Sequence, residues 1–162
     1  AEFIRRVRIM GFLVKLDTNG TRPDVVRALL EEALLDYVAM DIKAPRDRYD
    51  EVCRTEVDLD AVDQSIALLK DAGVATEFRT TVVPQLTRDD TVEMARWVAG
   101  AQRYVLQQYR RPDVVEEIPD LRLSMKPHPI DWPFEFKEQL EDFVATVETR
   151  GFEPPDRSAA RA

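Results

Sequence analysis

The sequence predicts an α/β fold: a parallel sheet with covering helices. Three observations point to it. Short apolar runs of strand length alternate along the chain with stretches of helical period. Each run ends in polar groups followed by a glycine or proline, which is how strands in such folds give way to loops. The balance of 44% apolar and 33% charged residues over 162 positions suits one globular domain and excludes a wholly disordered chain.

The elements follow in order. Phe3, Ile4, Val7 and Met10 recur at helical spacing, and Gly11 supplies the stop. Phe12–Leu16 is a short apolar run interrupted by Lys15, and Asp17-Thr18-Asn19-Gly20 is a dense turn signal. Pro23 opens a helix whose stripe is Val25, Val26, Leu29, Leu30 and Leu34. Tyr37–Met40 reads as the second strand, ending at Asp41-Ile42-Lys43 and stopped by Pro45; Arg46–Glu56 is a polar connector. Leu59, Val62, Ile66 and Leu69 predict a helix closed by Gly73. Val74–Val83 is β-branched enough to be the third strand. Thr87 and Asp90 cap a helix ending near Gly100, and Arg103–Tyr109 is the fourth strand, broken by Pro112. Beyond it prolines accumulate, a last helix is expected over 134–147 with Phe136, Leu140, Phe143, Val144 and Val147 as its buried stripe, and a frayed tail follows Gly151.

Composition narrows the function classes. Lys and Arg total 23 against 31 Asp and Glu, a net charge of −8, which speaks against a chain held mainly by phosphate contacts to nucleic acid. No apolar run approaches bilayer-spanning length. The single cysteine, Cys53, excludes a disulfide within the chain and fits a reducing cytoplasm; in its polar connector it reads as an inert thiol. His128, between two prolines, reads as a surface residue, Trp97 as core, and Trp132 as a packing anchor. Glu116, Glu117 and Asp120 read as a solvated acidic loop. Four strands are too few to close an eight-stranded barrel, and the opening residues, without Met and already helical, predict a sequence cut from a longer one.

In parallel sheets ligands bind beyond the carboxyl ends of the strands. Here those ends carry Asp17 and Asn19, Asp41 and Lys43, Arg79 with Thr80 and Thr81, and Gln107 with Gln108. Such a rim suits a zwitterionic or nucleotide-like ligand, although Asp and Asn at strand ends also serve as plain turn residues.

Three segments in family order, Gly11–Gly20, Met40–Pro45 and Phe78–Pro84, with Leu106–Tyr109 as the last strand, resemble the radical S-adenosylmethionine (SAM) superfamily. The branch resembled is the anaerobic ribonucleoside-triphosphate reductase activating proteins, relatives of the pyruvate formate-lyase activating enzyme. The resemblance implies the last four strands of a partial (βα)6 barrel over residues 1–110, with 111–162 as a C-terminal extension. It implies SAM and a [4Fe–4S] cluster held by a CxxxCxxC loop, with electrons from a flavodoxin or ferredoxin. A 5′-deoxyadenosyl radical then takes a hydrogen from a glycine of a partner such as anaerobic ribonucleotide reductase. By the same resemblance Asp17, Thr18 and Asn19 border SAM or a nearby cation, Lys43 and Arg79 approach its polar end, and Gln108 and Arg110 lie near the adenine.

The chain has neither the CxxxCxxC triplet nor the family's GGEP motif, so it is expected not to cleave SAM by itself and to hold no metal. Two other readings compete. One is a non-catalytic half-barrel that binds a nucleotide-like ligand or a protein partner. The other is an aldolase-like barrel using Lys43 as a Schiff-base nucleophile.

Overall fold

A computed structural model describes residues 1–111 and 125–155. Five strands form one sheet: β1 Lys15–Thr18, β2 Tyr37–Asp41, β3 Ala75–Val82, β4 Tyr104–Gln108 and β5 Val147–Arg150. They lie side by side in chain order, and every neighbouring pair is parallel. Helices α1 (Glu2–Ile9), α2 (Pro23–Glu31), α3 (Tyr49–Cys53), α4 (Leu59–Lys70), α5 (Arg88–Trp97) and α6 (Lys137–Glu141) accompany the strands, with 3-10 turns at Arg46–Arg48 and Trp132–Glu135. The α/β class and the partial barrel expected from the sequence are what the chain adopts.

The strand count needs correction from four to five. The expected helix over 134–147 is instead a 3-10 turn at Trp132–Glu135, the short α6, and then β5. Of the expected stripe Phe136, Leu140, Val144 and Val147 are buried and Phe143 is half-buried, but Leu140 alone lies in α6, Phe136 and Val144 lie in the turns on either side of it, and Val147 opens β5. The β-branched run Val144, Thr146, Val147 and Thr149 favours extended chain. Ala145 donates to the Ala101 carbonyl and Tyr104 to that of Thr146, and these bonds start the new ladder. The chain after Gly151 is also not free throughout, because Phe152 is buried and the Glu153 N–H bonds to the Ile130 carbonyl. The acidic loop Glu116, Glu117 and Asp120, and the tail from residue 156, lie outside the described residues.

Strand parity sorts the side chains, since successive residues point to opposite faces. Val38, Met40, Ile42, Phe78, Val82, Tyr104 and Leu106 meet the buried stripes of α2, α4 and α5 in one core. The cap predicted at Thr87 and Asp90 forms as a reciprocal capping box, and Asp58, which the sequence reading does not single out, caps α4 by accepting from the Asp60 and Ala61 N–H groups. Tyr37, Ala39, Asp41, Glu77, Arg79, Thr81, Val105, Gln107 and Arg150 share the opposite, open face. In a (βα) barrel that face is the interior.

At one end of the sheet α1 is tied down by Arg5 to Glu32 and by Arg8 to Asp36, whose carboxylate also accepts the Val14 N–H. Beside it Phe3, Ile9, Met10, Phe12 and Leu13 are exposed, and the outer edge of β1 has no strand partner among the described residues. No described helix is long and apolar enough to cross a membrane.

Candidate functional site

The strand ends converge as parity requires. Asp17, Asp41 and Arg79 stand on the open face of three adjacent strands, with Asp41 and Arg79 directly paired in register. Arg79 Nε donates to Asp41 Oδ1 at 2.7 Å and its Nη1 lies 2.8 Å from Asp17 Oδ1, so one guanidinium clamps β1, β2 and β3 together. Lys43 Nζ reaches Asp41 Oδ2 at 3.4 Å, and Lys15 Nζ reaches Asp17 at the same distance. Burial works to lower the Arg79 pKa, but its bonds to Asp41 and then the charge of Asp17 outweigh it, and the net shift is upward. The cluster carries three cations and two carboxylates, which favours an anionic group such as an amino-acid carboxylate.

A cleft of about 170 Å³ opens here, lined by Asp41, Ile42, Lys43, Val52, Cys53, Arg79, Thr81 and Val83. Its far wall is the connector after β2, which is braced rather than loose. Arg48 bonds both Glu51 and Asp90, joining the connector to the start of α5. Tyr49 is buried, its hydroxyl accepts the Lys43 N–H at 3.4 Å, and burial pushes its pKa up to about 12. Burial also pushes the Cys53 thiol up, against the pull of Lys43, which leaves it protonated at neutral pH.

Thr18 and Asn19 do something different from Asp17. Thr18 Oγ1 accepts the Gly20 N–H, and Asn19 Oδ1 accepts both the N–H and hydroxyl of Thr21, so both shape the turn into α2. Thr80, one residue from Arg79, points the other way into the core, donating to the Ile42 carbonyl and accepting from the Tyr104 hydroxyl. Gln108 and Arg110 border a second cleft of about 330 Å³, with Thr81, Gln107, Arg150 and Gly151. Thr81 lines both, so the two clefts meet across the end of β3.

Glu77, Tyr37, Arg103 and Arg150 were not foreseen. Glu77 is wholly buried on the open face, where Tyr37 Oη donates to it at 2.7 Å and Arg150 pairs with both its oxygens at 3.0 and 2.6 Å. Arg103 in turn donates to the Tyr37 hydroxyl at 3.2 Å and pairs with Glu148 at 3.1 Å. The signal available for Glu77 is the alternation Glu77, Arg79, Thr81 within a strand-like run, which marks a polar face. Arg150 sits on the strand the sequence reading did not contain.

Burial tends to raise the Glu77 carboxyl, but the bonds from Arg150 and Tyr37 prevail and hold it below the usual carboxylate range. Its stabilising contribution is therefore complete above about pH 4.3, the unfolded value, and is lost as pH falls through the lower folded value. Urea unfolding followed from about pH 6 to about pH 3 is expected to show a shallower acid limb in Glu77→Gln than in the parent chain.

The Radical SAM superfamily model matches residues 1–98. A protein of Methanocaldococcus jannaschii, named as a candidate glycyl-radical enzyme activating enzyme, is 36% identical over 121 residues, covering 72% of this chain and 50% of that protein. The chain thus spans about half the length of the curated relative it matches.

Proposed function

The chain belongs to the radical SAM superfamily, and on that premise we propose that it is the SAM-binding part of a glycyl-radical activating enzyme. The observation that carries this reading is the convergence of Asp17, Asp41, Lys43 and Arg79 at three strand ends beside a cleft. Lys43 and Arg79 hold the ligand's carboxylate by charge-assisted hydrogen bonds, and Asp17 and Asp41 fix the plane of the Arg79 fork. Thr18 and Asn19 set the turn that keeps Asp17 in place. Gln108 and Arg110 border the nucleoside end, and Thr81 stands between the two ends. Lys43, paired with Asp41, serves here as a cation rather than as a Schiff-base nucleophile.

Membership implies SAM and a [4Fe–4S] cluster, which together supply a carbon-centred radical able to take a hydrogen from glycine. The charged cluster at the strand ends fits the amino-acid end of SAM. The iron–sulfur cluster is a different matter. The sequence has one cysteine, and the described residues include no group of three or more His, Cys, Asp or Glu able to hold a metal. In the same proposal the partner is a glycyl-radical enzyme of the anaerobic ribonucleotide reductase kind, the electron donor a flavodoxin or ferredoxin, and the setting the cytoplasm.

Calorimetric titration of the chain with SAM and S-adenosylhomocysteine tests the reading. Binding is expected, without cleavage by this chain alone. Arg79→Gln is expected to weaken SAM about 10- to 100-fold, the worth of a hydrogen bond to a charged group. No heat at millimolar ligand overturns it.

A further inference from the structure

Arg150 is aimed away from the cleft it borders. Thr81, Gln107 and Arg150 are strand partners in one row across β3, β4 and β5, and Arg79, Val105 and Glu148 form the next row toward the strand starts. Arg150 does not stand over its own row. It reaches back across β4 to Glu77, and its path crosses Val105, which is fully buried although it lies on the face away from the core. Both Glu77 oxygens are taken by the guanidinium fork, and Glu148 adds a carboxylate 3.9 Å away. The charge of Arg150 is thereby answered within the sheet. Among the described residues, what remains toward the cleft, apart from Arg110 at its rim, is neutral hydrogen-bonding capacity from Thr81, Gln107 and Gln108.

This matters for ligand choice. Arginine is the side chain best suited to bind phosphate through two parallel hydrogen bonds. A released Arg150 beside Arg110 would give this end of the trough two guanidinium groups, a setting that draws phosphate-bearing nucleotides. We propose that Glu77 is a specificity-determining positioning residue: by holding Arg150 down, it keeps the nucleoside end of the trough selective for ligands without phosphate and against nucleotides. The inference rests on the SAM-binding reading above and deepens it, because SAM is a nucleoside that carries no phosphate.

The test titrates the parent chain, Glu77→Gln and the double variant E77Q/R150Q with SAM and with adenosine 5′-monophosphate at one ionic strength. Glu77→Gln is expected to gain about tenfold in affinity for adenosine 5′-monophosphate, the size of one charge-assisted hydrogen bond, while gaining nothing for SAM. The double variant is expected to lose that gain. A purely structural role for Glu77 would weaken both ligands together. Unchanged affinity for the monophosphate in a folded Glu77→Gln chain overturns the proposal, as does a gain that persists without Arg150. Should Glu77→Gln not fold, Glu77→Asp retains the charge on a shorter arm that cannot hold the fork in place. A smaller gain in the same direction is then expected, and no gain overturns the proposal. If the parent chain does not bind SAM, the earlier reading falls, whereas the monophosphate comparison between parent and variants still decides the role of Glu77.

Discussion

Arg150→Met is expected to destabilise the fold by about 3 kcal/mol, at the lower end of what breaking a buried ion pair removes. The asymmetry of the pair sets this figure. Arg150 is 41% exposed and can be solvated on its own, but the Glu77 side chain has no exposed surface and, among the described residues, would keep the Tyr37 hydroxyl as its hydrogen-bond partner. Methionine retains apolar cover over Val105, so the loss reports the stranded carboxylate rather than a bared valine. Removing the arginine also lets some water toward Glu77, which holds the value at the low end. Urea unfolding at neutral pH should show a lower midpoint with an unchanged slope. Glu77→Gln should be milder, since it strands no buried charge. The double variant E77L/R150M should recover most of the loss, as replacing both members of a buried pair by apolar groups often does. Equal losses for Arg150→Met and Glu77→Gln would mean that burial of Glu77 is not what makes the pair matter.

Gly20→Ala is expected to lower stability by about 2–4 kcal/mol, from two separable causes. Gly20 has φ +78°, a left-handed conformation that alanine adopts only with strain. Its new Cβ would also lie 2.0 Å from the Cε of Met40, which is fully buried and hemmed in by the core. The methionine must move, and Ser65, which donates to the Gly20 carbonyl at 2.7 Å, limits how far the turn can shift instead. In a Met40→Ala background the steric part should vanish while the backbone part stays, so the penalty for Gly20→Ala should be clearly smaller there. An identical penalty in both backgrounds would assign the whole effect to φ. Because Gly20 closes the turn that begins at Asp17, the same substitution should weaken SAM binding.

Much of the framework is legible in the sequence. Strand-like runs punctuated by Gly20, Pro45, Pro84 and Pro112 are strong local signals, and the parallel order follows from the helices between them. Convergence of Asp17, Asp41 and Arg79 was also legible, because residues at the ends of adjacent parallel strands have to meet. Strand parity carries more than the sequence reading takes from it. It separates Thr80, in the core, from Arg79 and Thr81 on the open face, and it places Gln107 rather than Gln108 in the row with Thr81. The fifth strand was hidden by a genuine ambiguity: Phe136, Leu140, Val144 and Val147 fit helical spacing, and only the β-branched residues after 143 argue otherwise. With that strand unseen, Arg150 had no address, and a glutamate in mid-strand had no visible partner.

The long reach between Glu77 and Arg150 also bears on how the sheet is completed. The two residues lie 73 positions apart in the chain, with β4, α5 and α6 between them. During synthesis from the N-terminus, β1 to β4 can assemble while Glu77 still faces water. Its carboxylate becomes buried only when the last strand arrives with its counterion. Docking of β5 is in this sense a latch. A slip of one residue would turn Arg150 to the helix side and leave Glu77 without it, so the ion pair selects against such a slip of the final strand. The contact that answers the charge of Arg150 within the sheet thus also ties the last strand to a buried carboxylate.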